Sequence, residues 1–518
     1  MALQIFNTMS RRKEPFVPAH PQVVRIYTCG LTVYAPMHIG HARTYCFWDF
    51  FRRYLEYRGY HVLAAINYTD IDDRNIAAAN ERQGAMDVAE RVIATFRRDC
   101  RLLRIKDYAA YTRATDFVAG QIEMVAQLLE KGHAYVVDGE VFYDVASFPG
   151  YGKLSGKRVE EQEVGASGRV EEDFARKRQP ADFTLWKPSA PGQPSWSTGQ
   201  ADWPQGRPGW HIECSTMSTA LHGCHFDVHG GAVDNLFPHH ENEIAQSEPL
   251  CGSPWVRYWM HPEHLDLRGE KMSKSLGNVI GVPDMLERHR YDEVRWFLAM
   301  NHYRTRLAFS DELVDAAAEG YRKITKLLGI LEAKLAKLPD DQLEVPAPGL
   351  YASMRSEEER VPRMRHVYTY GRFGEITARF IGRFVEAMDD DLSSPQATAA
   401  FFDYASELYS AGIEQSTDWP SVLAAYRAIA RHLYVFGCEF PSERLYPELA
   451  AESFPAGGDG AEALAPYKAV VDALLALREE ARRTKDFARS DLIRELLTQA
   501  GVAVEDTAQG PRWELAER

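Results

Sequence analysis

Residues 22 to 73 run strand, glycine-bearing loop, helix, strand, and this order restricts the fold more than any other feature of the chain. QVVRIYTC (22–29) has the β-branched and aromatic bias of a buried strand. From His41, HARTYCFWDFFRRYLEYRGY sets Phe47, Phe51, Tyr54 and Leu55 at helical spacing, and HVLAAINYTDIDD then reads as a second strand closed by acids. Parallel strands need such a crossover, and ligands of parallel α/β sheets sit beyond the carboxyl ends of the strands. Parallel-sheet character returns at CHFDVHGG and reaches VRYWMHPEHLDL. Between these, HAYVVDGEVFYDV predicts a hairpin turning at Asp138-Gly139. Gly, Pro and charge dominate 147–210, so an insertion lying over a site is expected at about 85–210.

From Asp311 the pattern changes to amphipathic helices such as LVDAAAEGYRKITKLLGILEAKLAKL. The chain divides into residues 1–308, a helical part 309–452 with an extra segment at about 335–375, a linker 453–466 and a small unit 467–518. Its 518 residues suit about three domains. Residues 1–20 carry charges and prolines without an apolar core, and no apolar run is long enough to span a membrane, which predicts a cytoplasmic protein. The seven cysteines include no CxxC pair, which predicts reduced thiols, some of them ligands, rather than a disulfide framework. A formal charge of -14 argues against nonspecific coating of nucleic acid but leaves room for a local basic groove.

NLFPHHENEIAQSEPL (235–250) sets two histidines and two glutamates within five positions. In a helix, His239 and Glu243 share a face at i and i+4, whereas His240 and Glu241 turn away, leaving His240 the weaker alternative. Zinc takes four ligands from Cys, His and carboxylate, so this helix needs help from elsewhere. The cysteines expected to end strands are the natural suppliers: Cys29 closes the first strand and Cys214 follows GRPGWHIE. Each also has an ordinary reading, the cysteines as small buried hydrophobes and the histidines as solvated or capping residues. MHIGHART places His38 and His41 around Ile39-Gly40 at a helix start, where free N–H groups and the helix dipole bind phosphate. GEKMSKSLGN (269–278) offers Lys271 and Lys274 on a Gly- and Ser-containing loop.

Together these residues resemble the class I aminoacyl-tRNA synthetases, whose signatures HIGH and KMSKS stand here as His38–His41 and Lys271–Ser275. Within that class the chain resembles the cysteinyl-tRNA synthetases. The likeness is carried by YTCGLTVY, RRYLEYRGY, NYTDIDD, GRPGWHIECSTMS, FDVHGGAVDNLFPHHENEIAQSE, EKMSKSLGN, NHYRTRLAFS, KDFARSDLIRELL and EDTAQGPRW, and covers nearly the whole chain apart from about 335–375. The resemblance implies an α/β, Rossmann-type catalytic domain with an inserted connective segment, a helical bundle (DALR-like) domain and a small C-terminal anticodon-binding domain. It implies one zinc held by Cys29, Cys214, His239 and Glu243, and phosphates met by His38, His41, Lys271 and Lys274 beside Gly40. Asp234 falls near the ATP ribose, Gly30, Thr32, Thr69 and Trp210 around the amino acid, and Arg482, Asp491, Asp506, Gln509 and Trp513 at the anticodon. The implied substrates are L-cysteine, ATP with magnesium, and tRNA(Cys), and the implied state is a monomer that needs no membrane.

Cysteine must be told from serine, and an apolar pocket separates such small changes by only about 1–3 kcal/mol. An error of roughly one in ten thousand needs about 5.5 kcal/mol. A metal that favours soft thiolate over neutral hydroxyl offers a different kind of selection. Leu31 stands where the family commonly has Pro, and His41 where many members have Asn. DDRNIAAAN lacks the lysines that some relatives use to make persulfide with pyridoxal phosphate, so that activity is not expected. Two rivals are the cysteine ligase of mycothiol synthesis, which lacks an anticodon-reading domain, and a non-catalytic zinc-stabilised RNA-binding protein.

Overall fold

The computed structural model describes residues 2–79, 84–157, 176–267, 270–271, 279–340, 343, 371–438, 442, 444–446, 449, 465–499, 502–507 and 510–515. The central domain is built from Val23–Thr32 (β1), Ile39–Tyr57 (α1), His61–Thr69 (β2), Ala85–Leu102 (α2), Ala110–Arg113 (β3), Trp210–His222 (α3), Phe226–Gly230 (β4), Glu241–Cys251 (α4) and Val256–Met260 (β5). All five strands are parallel, in the order β5-β4-β1-β2-β3. The chain winds from β1 toward one edge and later returns to β1's other side with β4. The carboxyl ends of β1 and β4 therefore open a crevice, the place where such sheets bind ligands. Every residue of β2 after His61 is buried, as expected of a strand covered on both faces.

Helix α2 and strand β3 fall inside the stretch expected to be insertion, yet they complete this sheet. With four residues at a sheet edge, β3 is too short to leave a periodic signal. Beyond it, Ala134–Val137, Glu140–Tyr143, Phe183–Lys187, Gln205–Pro208 and Trp196–Ser197 form an antiparallel sheet in that order. The predicted hairpin is present, with Asp138 and Gly139 both at positive φ (+52° and +79°), the type I′ turn that Asp-Gly favours. Glu241 accepts hydrogen bonds from the backbone N–H of Gly152 (2.9 Å) and Ser155 (2.7 Å), and so ties the insertion to the first turn of α4.

Helix α1 is buried all round. Phe47, Phe51, Tyr54 and Leu55 pack in the core as their spacing predicts, and fully burying a ring such as Phe51 contributes about 1.5–3 kcal/mol. Its polar residues are buried too: Arg53 Nε donates to Asp49 at 2.8 Å, and Arg295 donates to the same carboxylate. Burial opposes ionisation of Asp49, but the two guanidiniums outweigh it and hold the carboxyl well below its usual range. The outer cover is a bundle of helices Asp311–Leu335, Gly374–Asp389, Ser394–Ser410 and Trp419–Val435, reached through rings such as Phe50 and Phe436, stacked at 5.2 Å. Ser310 caps the first of these by accepting from Leu313 N–H.

Three consecutive aspartates fasten this bundle to the central domain. Asp389 accepts from Tyr54 Oη and Arg58, Asp390 pairs with Lys13, and Asp391 accepts from Phe6 N–H, Tyr303 Oη and Arg304. Of the expected extra segment and linker, residues 344–370 and 453–464 lie outside the described residues. Helices Ala465–Arg483 and Phe487–Gln499 and the hairpin Val502–Thr507/Gly510–Leu515 make the last unit, around Val471, Leu475, Ile493 and Leu497. Arg489 of this unit donates to the carbonyl of His222 at 3.2 Å.

The expectation of reduced thiols fails for one pair, since Cys224 and Cys251 are joined in a disulfide while Cys29, Cys46, Cys100, Cys214 and Cys438 are free. The turn before β4 and the end of α4 bring their Cα atoms to 5.4 Å, within bonding reach, and no spacing pattern announces two cysteines 27 residues apart. Among the described residues no helix is long and apolar enough to cross a membrane.

Candidate active site and metal centre

The pairing of β1 with β2 shifts register between Thr28 and Leu31, a bulge of the kind that re-aims a side chain. Gly30 makes it possible: its N–H donates to Asn67 Oδ1 at 2.8 Å, and a Cβ there would stand 1.7 Å from the Asn67 carbonyl oxygen. Cys29 beside it lies with its Sγ 3.9 Å from Cys214 Sγ, 3.6 Å from Glu243 Oε1 and 3.2 Å from His240 Nε2. His239 Nε2 lies 2.9 Å from Glu243 Oε1. One ligand atom from each of Cys29, Cys214, His239 and Glu243 thus lies within 4.8 Å of all the others, and all four residues are buried.

Two details differ from the sequence reading. Cys214 belongs to the first turns of α3, where it shares a helix face with Trp210, and does not end a strand. His240 was expected to turn away, yet Cys29, His229, His240 and Glu243 gather as closely as the first set. The cause is a wider, π-type turn at Leu236–His240, with Phe237 extended, which swings His240 inward ahead of α4. Further histidines that the sequence reading did not single out complete the surround. His229 Nε2 reaches Glu243 Oε2 at 2.7 Å, His261 Nε2 reaches His240 Nδ1 at 2.7 Å, and His211 Nδ1 reaches His239 Nδ1 at 2.9 Å. Their positions within VHGG, MHPEH and WHIE were the available signal.

The buried groups are strongly perturbed. A hydrogen bond from Cys29 is the main cause lowering the Cys214 thiol to about 7. Burial disfavours the charged ring of His239, but Glu243 and Cys214 raise it to about 10; burial likewise opposes ionisation of Glu243, yet His229 and His239 hold it at about 2. In the metal-free chain the His239 ring is therefore held in its charged form beside the Cys214 sulfur and the Glu243 carboxylate. Two thiols, an imidazole and a carboxylate converging in one buried pocket fit zinc by donor type. A pH dependence follows for protein kept metal-free with a chelator. Glu243, depressed from 4.5, contributes stability above that value that is lost as pH falls toward 2, and His239, raised from 6.5, contributes stability below that value that is lost as pH rises toward 10. Metal-free protein is expected to melt highest near pH 6.5: below it the buried neutral rings of His222, His240, His261 and His432, and then Glu243, lose their contribution, and above it His239 does, as thermal scans across pH would test.

At the start of α1, His38 Nδ1 accepts from Gly40 N–H (3.1 Å) and His41 Nδ1 accepts from His38 N–H (3.2 Å). Both neutral rings are thereby fixed in the tautomer that carries its proton on Nε2. The rings lie 3.8 Å apart, and the first turn of this 19-residue helix holds no acid to oppose an anion. Ile39 N–H donates to the Ile280 carbonyl at 3.0 Å, so the helix start bearing HIGH is bonded to the segment just past KMSKS. Lys271 lies on a short strand paired with Asp266–Leu267; its side chain and all of Lys274 fall outside the described residues.

Trp210 stacks on His239 at 4.3 Å and walls the four-residue set. Arg74 lies 5.4 Å over the Trp210 ring and donates to Thr32 Oγ1 at 3.4 Å, and Thr69 Oγ1 accepts from Asn67 at 3.2 Å. Asp234, in the turn after β4, is exposed and pairs with His264 at 2.9 Å. Arg482 and Asp491 are exposed on the last two helices, far along the chain from this site. Asp506 and Trp513 lie on the final hairpin with side chains outside the described residues, as is all of Gln509.

The family model for the tRNA synthetases class I (C) catalytic domain matches residues 15–319, that for the DALR domain 383–436, and that for the cysteinyl-tRNA ligase anticodon binding domain 467–513. A cysteine–tRNA ligase of Symbiobacterium thermophilum is 40% identical over 522 residues, covering 100% of both chains. The chain belongs to the cysteine–tRNA ligase family. Another member, from Alkalilimnicola ehrlichii, is 41% identical over 99% of both chains. Beyond the cysteine–tRNA ligases, the fold is that of Mycobacterium tuberculosis methionyl-tRNA synthetase, solved with methionyl-adenylate, at a TM-score of 0.56 and 16% identity over 87% of this chain and 96% of that one. The LeuRS of Agrobacterium radiobacter K84 aligns at a TM-score of 0.55 and 14% identity over 87% of each. A cysteine–tRNA ligase family member with the anticodon-binding match at 467–513 carries the part that the amino-sugar ligase lacks.

Proposed function

We propose that this enzyme activates L-cysteine with ATP to cysteinyl adenylate and transfers it to tRNA(Cys), as a monomer in the cytoplasm, with substrate chosen through its thiolate. The observation that carries this reading is the buried convergence of Cys29, Cys214, His239 and Glu243 at the crevice between β1 and β4, walled by Trp210. These four residues would hold zinc, which supplies an acceptor that prefers soft thiolate to neutral hydroxyl. The backbone at Gly30 and the side chains of Thr32, Thr69 and Trp210 then confine an amino acid too small to be selected by shape.

His38 and His41 each direct an Nε2–H donor to the triphosphate at the α1 N-terminus, beside Gly40. Asp234 meets the ribose. Lys271 and Lys274 neutralise charge that builds on the α-phosphate and leaving pyrophosphate, with magnesium arriving on ATP; this is positioning and electrostatics. Replacing Lys274 with alanine is expected to lower pyrophosphate exchange by about 10²-fold and leave zinc content unchanged, as metal analysis would check. At the far end, Arg482, Asp491, Asp506, Gln509 and Trp513 contact the anticodon.

The deciding experiment is cysteine-dependent exchange of labelled pyrophosphate into ATP, with serine as control, beside charging of tRNA(Cys). Exchange and charging together support the reading, and absence of exchange by folded, zinc-loaded protein defeats it.

A further inference from the structure

Between residues 91 and 106 the chain carries Arg91, Arg97, Arg98, Arg101, Arg104 and Lys106 against one carboxylate, Asp99, although its overall charge is -14. Asp99 is wholly buried and receives Arg98 at 2.7 Å, so the surface of this stretch shows only positive charge. Arg91, Arg98 and Arg101 are all exposed and stand within an arc of roughly 80° of α2, over about 15 Å of its length. Among the described residues, Arg91 and Arg101 face no carboxylate partner. Arg104 continues the surface, lying 5.5 Å over the Tyr291 ring. Next to it is a cavity of about 480 Å³ lined by Arg288, Arg290 and Arg322, whose charges are already met by Asp311, Asp292 and Glu293. The unopposed field therefore comes from α2 from Arg91 onward; its exposed acids, Asp87 and Glu90, lie ahead of Arg91 and are engaged by Gly84 N–H and by Arg113, and the helix packs against Val282–Leu286, which follows the KMSKS loop.

We propose that this face of α2 docks the phosphodiester backbone of RNA and steadies the body of the tRNA; this rests on the tRNA-charging reading above. A row of guanidiniums without interleaved acids fits successive phosphates, to which Arg donates in bidentate pairs. A lipid surface would call for an apolar stripe, and α2 exposes only Met86 and Leu102, at its opposite ends.

The test is the full-length, zinc-loaded double variant Arg91→Glu/Arg101→Glu; Arg98 is kept, since removing it would strand Asp99. Expected are a rise of about tenfold or more in KM for a tRNA(Cys) transcript, a salt dependence of tRNA binding shallower by about 1.4–1.8 in log–log slope, and tRNA-independent pyrophosphate exchange within about twofold of the parent. Arg91→Lys/Arg101→Lys should retain parental tRNA binding. An unchanged KM and salt slope in the Glu variant, with exchange intact, would overturn the proposal. So would loss of binding to phosphatidylserine vesicles with tRNA binding unaltered. If the parent itself neither exchanges pyrophosphate nor charges tRNA, the failure lies in the tRNA-charging reading, and direct transcript binding still judges the surface.

Discussion

On the proposed zinc assignment, replacing Glu243 with alanine is expected to bring bound zinc to near zero and to lower kcat/KM for cysteine by about 10³–10⁴-fold, close to the level of serine. Glu243 is fully buried and stands between two imidazoles, His239 at 2.9 Å and His229 at 2.7 Å. Its removal takes a proposed ligand away and leaves the buried His239 without the carboxylate that keeps it charged. What remains to separate cysteine from serine is pocket shape, worth about 1–3 kcal/mol. Metal analysis and exchange with both amino acids give the result. Retention of zinc together with intact selection would sink the ligand assignment.

Replacing Asp391 with alanine is expected to destabilise the fold by about 3–5 kcal/mol. Its side chain is fully buried and accepts from Phe6 N–H and Tyr303 Oη at 2.8 Å each and from Arg304 Nε and Nη2 at 2.8 and 2.6 Å. Asp391 and Leu392 both adopt positive φ (+57° and +55°), a strain that these contacts offset. Without the carboxylate, a guanidinium loses its partner and the N-terminal strand pair Gln4–Asn7/Arg12–Pro15 is loosened from the bundle. Denaturant titration gives the size of the loss, and Asp391→Asn, which keeps one acceptor and suits positive φ, is expected to lose less. An Ala variant as stable as the parent would mean that the bundle is held by apolar packing alone.

Much of this was legible in residue patterns. β1, α1 and β2 follow from apolar runs and helical spacing, and the Asp138-Gly139 turn from the chemistry of positive φ. The pairing of His239 with Glu243 follows from spacing, and survives even though His239 precedes α4 in a wider turn. That same turn explains what spacing missed, because His240 faces inward only when the winding departs from 3.6 residues. The Asp391 contacts with Phe6 join residues 385 apart, and no local pattern encodes such a meeting. The Cys224–Cys251 bond was hidden for the same reason, as was the membership of β3 in the sheet.

That bond turns residues 224–251 into a covalent ring, and the ring contains His229, His239, His240 and Glu243. A protease that nicks the backbone inside it would produce two fragments that still migrate as one until a thiol reagent parts them. The half of the Cys29, Cys214, His239 and Glu243 cluster on this ring is thus tethered twice over, and its loss requires both a cut and a reductant.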